Sequence, residues 1–108
     1  MAEYVQMGDA VDFVPAADVA AGDVVVLGDM VGVAKRAIQA GVLGALSLVG
    51  VYDFAKGAGA IPKGSRLYWD ETAKVATTSD GGGANKYLGK SVKDAADADG
   101  VVRARLSQ

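Results

Sequence analysis

The sequence predicts an all-β domain, and three observations carry that expectation. Apolar residues recur mostly with a period of two. Turn residues punctuate the chain roughly every eight to twelve positions, the spacing of short strands in one sheet-rich domain. Glycine supplies 15 of the 108 residues, about twice its usual share, which favours tight turns over long helices. A chain of this length has room for one hydrophobic core, so residues 16–108 are read as a single β domain. Residues 1–15 precede it, either as an arm or as its first strand.

That N-terminal stretch alternates, with Val5 and Met7 followed by Val11 and Phe13, and Gly8-Asp9 splits the two pairs. Pro15 ends it, because proline cannot donate to a strand ladder. Val24-Val25-Val26-Leu27 is a short apolar run bracketed by Gly22-Asp23 and Gly28-Asp29, which reads as a buried strand. Met30 to Ala34 follows at once, and Gly28-Asp29 fits the two-residue turn of a hairpin.

Ala45 to Phe54 is read as one strand. As a helix, Gly50 inside the segment and Gly44 and Gly41 before it would each cost about 1 kcal/mol relative to alanine. Val49, Val51, Tyr52 and Phe54 prefer an extended chain. Arg66 to Trp69 and Lys74 to Thr78 are two further short strands, the second feeding the Gly81-Gly82-Gly83 loop. Tyr87 to Val92 is a strand interrupted at Gly89, where a bulge or a close backbone approach is expected. Asp94 to Gly100 is a polar connector with room for one helical turn. Val101 to Leu106 closes the domain, with Val102, Ala104 and Leu106 inward and Arg103 and Arg105 outward.

One pattern recurs. Val19-Ala20-Ala21-Gly22, Ile38-Gln39-Ala40-Gly41 and Ile61-Pro62-Lys63-Gly64 each place an apolar residue three positions before a glycine, just ahead of a strand. The physical reading is a buried anchor, a tight turn, and a glycine at positive φ that launches the strand. Three such corners suggest one barrel-like sheet rather than a solenoid.

The composition excludes several function classes. The chain has no His and no Cys, which removes the usual zinc ligands, thiol nucleophiles, Ser–His pairs and any disulfide framework. Its net charge of −2, with signs interspersed, gives no electrostatic basis for holding nucleic acid. The most apolar stretch, Val42 to Val51, is broken by Gly44 and Gly50 and is far too short to span a membrane. Met1 to Pro15 lacks the cationic start and apolar run of a secretion signal, so synthesis in the cytoplasm is expected.

Two motifs invite a functional reading. Gly83 to Ser91 ends in Gly-Lys-Ser like a phosphate-binding loop, but five residues separate Gly83 from Gly89 where such a loop requires four. The segment should also open a helix, and it reads as strand. Asp94, Asp97 and Asp99 could gather around Ca²⁺, yet the Gly and Glu placement of an EF-hand is missing, and a solvated connector is the simpler reading. No catalytic group, cofactor or metal site is therefore expected.

The ordered set of short segments resembles the phage capsid cement, or head decoration, family. It comprises Ala-Glu-Tyr near the start, Val19 to Val25, Val31 to Ala34, Ala40-Gly41 through Gly50-Val51-Tyr52-Asp53-Phe54-Ala55-Lys56, Leu67-Tyr68-Trp69-Asp70, Leu88 to Val92 and Val102 to Leu106. The resemblance implies a β-barrel or β-tulip-like domain that attaches to the outside of an assembled head and stabilises the shell. The implied partner is the major capsid protein, and the implied assembly a homo-oligomer, trimeric or dimeric, on the virion surface. The alternatives are a nucleotide-binding recombination accessory factor and a tail or baseplate module. Candidate contacts with the capsid or with other subunits are Tyr4, Val5, Met7, Val11 and Phe13 in the N-terminal stretch. Tyr68 and Trp69 join them because aromatics concentrate at contact hot spots. Arg103 and Arg105 join them as exposed charges on one strand face.

Overall fold

A computed structural model describes residues 2–3 and 8–107. It is all-β, and among the described residues the single helical element is a 3-10 turn over Gly81–Gly83. The strands are β1 (Ala10–Phe13), β2 (Val24–Leu27), β3 (Met30–Val33), β4 (Gly44–Ser47), β5 (Gly50–Ala55), β6 (Arg66–Asp70), β7 (Val75–Thr77), β8 (Lys86–Ser91) and β9 (Val101–Leu106). They form two antiparallel sheets, ordered β1-β4-β3-β2 and β5-β9-β8-β6-β7.

The expected single barrel is thus replaced by two packed sheets. The second sheet curls until its edges meet at one parallel bridge, Lys56 to Ala76, but no ladder continues from it, so the sheet does not close. The stretch read as one strand from Ala45 to Phe54 is two strands in different sheets. Alternation runs through it unbroken in sequence, but Gly50 adopts φ +117°, a conformation that ends one ladder and starts the other. Asp94 to Gly100 forms no helical turn.

All three corners are present. Gly22, Gly41 and Gly64 have φ of +91°, +77° and +86°. Val19 and Ile38 bond to each other through both backbone groups at 2.8 Å. Ile61 finds the same reciprocal 2.8 Å pairing with Ala95, which marks a fourth corner. Alanine occupies the glycine position there, at Ala98, and the turn forms without positive φ.

These corners reveal a repeat. The units Ala10–Ser47 and Gly50–Leu106 each run strand, corner, strand, strand, corner, strand, and each arranges its four main strands in the same order, with β7 added to the second. The registers coincide when counted from the corners: Phe13 faces Gly44 as Ala55 faces Val101, and Val24 faces Val33 as Arg66 faces Lys90. Gly22 donates to the Ala34 carbonyl as Gly64 donates to that of Ser91.

The main core lies between the sheets, where Val31 and Val33 of the first meet Phe54, Leu67, Trp69, Leu88, Val102 and Leu106 of the second. The opposite face of the first sheet buries Ala34, Ile38 and Leu46, flanked by Val11, Phe13, Val19, Val25 and Leu27. The close approach expected at Gly89 is real: a Cβ there would lie 1.9 Å from the Arg105 carbonyl oxygen.

Candidate interaction surfaces

The Gly-Lys-Ser segment is committed to structure. Lys86–Ser91 is strand β8. The Ser91 hydroxyl donates to the Pro62 carbonyl at 2.7 Å and accepts from the Ser65 N–H at 3.0 Å, so it fastens the third corner. Lys90 is exposed on the strand, with no helix N-terminus behind it. The aspartate cluster is equally occupied. Asp94 accepts from the Lys63 N–H and Asp97 from the Gly59 N–H, both at 2.6 Å, while Asp99 accepts from the Ala96 N–H at 2.8 Å. Each satisfies a turn amide that lacks a strand partner. Among the described residues no group of three acidic side chains is placed to hold a metal ion.

Buried polar chemistry is sparse. Lys56 is 7% exposed, and its ammonium donates to the carbonyls of Gly57 and Asp97 at 2.9 and 3.1 Å. It ties the start of the third corner's loop to the fourth corner. Trp69 is buried too, and its indole N–H is the one buried side-chain polar group with no acceptor among the described residues. Tyr4, Val5 and Met7 lie outside the described residues. Val11 and Phe13 sit on β1, which pairs with β4 and packs against the smaller core cluster.

Tyr68 is half-buried on the outer face of β6, edge-on to Tyr87 at 5.8 Å, and the Arg66 guanidinium stands over the same Tyr87 ring at 5.9 Å. Arg103 holds Asp53 across β5 and β9 through two hydrogen bonds of 2.9 and 3.2 Å. The guanidinium holds the Asp53 carboxyl below its ordinary value and is itself raised. Arg105, next on that face, makes no ion pair among the described residues and is exposed.

Two concave features among the described residues bear on interaction. One is a groove of about 890 Å³ on the first unit, beside the second corner. Val42, Leu43 and Val49 line it, at 49%, 65% and 42% exposure, and Lys35 and Arg36 contribute positive charge. Val42 and Leu43 fall on the turn between the second corner and β4, which presents them outward. The other feature is a cleft of about 540 Å³ between β2 and β5, with Trp69 in its lining.

Among the described residues the Gly-Lys-Ser segment and the aspartate cluster are thus committed to strand and turn structure. The model of the phage cement protein family matches residues 5–106. No curated protein and no solved structure matches the chain.

Proposed function

The chain belongs to the phage cement protein family, and from that premise we propose that it binds the outside of an assembled phage head and stabilises the shell. The observation that carries the proposal is the extent of the family match, residues 5–106, which takes in all nine strands and all four corners. The family supports a structural, capsid-associated role. The structure is compatible with it, since the fold spends its polar groups on turns and leaves apolar side chains outside.

The partner proposed is the major capsid protein, and the contact surface is the groove around Leu43. Exposed Val42, Leu43 and Val49 gathered in one concavity are more than scattered surface residues, and contiguous apolar surface of this kind marks interaction sites. Many copies on one shell multiply a modest contact into large kinetic stability. Arg105 and Tyr68 are secondary candidates on other faces.

The nucleotide-binding alternative loses its support, because Lys90 and Ser91 lie on a strand and the serine is already bonded. Among the described residues no helix is long and apolar enough to cross a membrane. The test is binding to undecorated heads by wild type and by Leu43→Asp. The variant should keep its circular dichroism spectrum and melting temperature and lose binding. Wild-type binding by folded Leu43→Asp would remove the groove from the account.

A further inference from the structure

The outer face of the second sheet carries a row of uncompensated charge. Arg66 on β6 stands level with Lys90 on β8, and Lys90 with Arg105 on β9. Leu67, Ala104 and Leu106, their neighbours along the strands, are buried, so the three cationic side chains project outward, and all three are exposed. At about 4.8 Å per strand the row is about 10 Å long.

Like charges set directly opposite one another across a sheet destabilise it. The chain has 13 acidic residues, yet the ion pairs among the described residues join Lys74 to Glu71, Lys86 to Asp29 and Arg103 to Asp53. Arg66, Lys90 and Arg105 have none among them. The contrast on β9 is direct. Arg103 finds a carboxylate opposite it on β5; opposite Arg105, two residues on and on the same face, β5 presents Val51, 56% exposed. The Arg66 guanidinium is seated over the Tyr87 ring, which Tyr68 meets edge-on. One lane of the face is compensated and the next is left bare at a cost to the isolated domain, which is the mark of a surface kept for a partner.

The row also borders the groove. Val49 lines the groove around Leu43 and also lines a hollow of about 210 Å³ shared with Arg105. An apolar groove and a cationic row that meet at Val49 and Arg105 fit one occupant, a polypeptide whose apolar side chains lie beside carboxylates. A nucleic-acid strand fits less well. Its phosphates recur beyond the about 10 Å of the row, where exposed Val51 and the Asp53 carboxylate stand.

We propose that the row formed by Arg66, Lys90 and Arg105 is a second contact, which receives a short acidic segment of the same protein partner whose apolar residues enter the Leu43 groove. The inference rests on the groove as the site of attachment and adds the chemistry of what lies next to it. Carboxylates suit the two arginines because a planar guanidinium binds them through paired hydrogen bonds, as Arg103 binds Asp53. Contacts of this kind steer association and weaken with salt.

The isolated protein is titrated with acetylated hexaglutamate at about 0.01 M salt and followed by amide NMR. Shifts should centre on Arg66, Lys90 and Arg105, vanish at about 1 M salt, and be absent with hexaglutamine. Lys90→Glu turns the row into Arg-Glu-Arg, so it should melt at or above wild type while binding the peptide about tenfold more weakly. Arg105→Gln should weaken the peptide in the same sense, whether or not Lys90→Glu folds. On undecorated heads Lys90→Glu should lower affinity about tenfold and flatten its salt dependence. Shifts centred elsewhere, no response to the peptide, or wild-type peptide affinity in both variants would overturn the proposal. So would tighter binding of a thymidine hexanucleotide than of hexaglutamate, which would give the row to nucleic acid. Leu43→Asp should keep the peptide response while losing heads, so a failed peptide titration strikes the row alone and unimpaired head binding by Leu43→Asp strikes the groove.

Discussion

Replacing Ile61 with alanine tests the corner architecture most cleanly. Ile61 is 5% exposed and belongs to the main core, while its backbone N–H and carbonyl bond Ala95. The substitution leaves that backbone pairing intact and removes three carbons from the anchor alone. At about 0.8 kcal/mol per buried carbon the transfer contribution is about 2.4 kcal/mol. The cavity left between the sheets adds to it, giving a loss of about 3–4 kcal/mol. Ile38→Ala should cost less, about 2–3 kcal/mol, because its cluster of Ala34, Ile38 and Leu46 lies on the outer side of the first sheet and collapses more readily. Urea titration followed by tryptophan fluorescence measures both, with an unchanged slope showing that the unfolded reference is the same. A cost below about 0.5 kcal/mol for both variants, the level of an ordinary surface change, would refute the anchor-and-turn reading of the corners.

The remaining predictions concern single groups. Gly89→Ala places a methyl 1.9 Å from a backbone oxygen, so β8 and β9 must separate; a loss of about 3 kcal/mol, or failure to accumulate folded protein, is expected on expression and thermal melting. Asp53 titrates below the ordinary carboxylate value of 3.8 because Arg103 favours its charged form, so its contribution is present above that value and fades as pH falls through the lowered one. The gap in melting temperature between wild type and Asp53→Asn should therefore be seen at neutral pH and vanish in strong acid; a gap constant with pH would contradict the ion pair. Lys90→Ala should leave stability near wild type, and Mg-ATP should shift the melting temperature of neither protein, whereas a Lys90-dependent shift would restore the nucleotide reading.

What the sequence made legible was local. The hairpin at Gly28-Asp29, the inward and outward alternation of Val101 to Leu106, and three of the four corners follow from residues within a few positions of one another. The fourth corner was hidden because Ala98 stands where the others carry glycine, and its pairing with Ile61 spans 34 positions. Alternation through Leu46, Leu48, Gly50 and Tyr52 concealed the switch between sheets, since a period of two looks the same in either. One barrel and two sheets differ only in long-range pairing, which periodicity does not encode. The aspartates of the last connector were read as solvated; in the fold they are acceptors for specific turn amides, and only the placement of Lys63, Gly59 and Ala96 shows it.

The candidate contacts divided in the same way. Trp69 and Tyr68 were both named as candidate contacts, and the structure puts Trp69 in the core and Tyr68 on the outer face beside Tyr87. Arg103 found its acidic neighbour in Asp53. The groove around Leu43 escaped notice because Val42 and Leu43 are apolar, and an apolar run is ordinarily assigned to the interior. Their exposure depends on the turn that the second corner imposes.

The central claim, a shell-binding role, is tested most directly by co-sedimentation with purified, undecorated phage heads. The account predicts saturable binding at a fixed number of copies per head, together with a rise in the temperature at which the heads lose their DNA. Absence of the protein from the head pellet at saturating concentration, with the folded protein left in the supernatant, would contradict it.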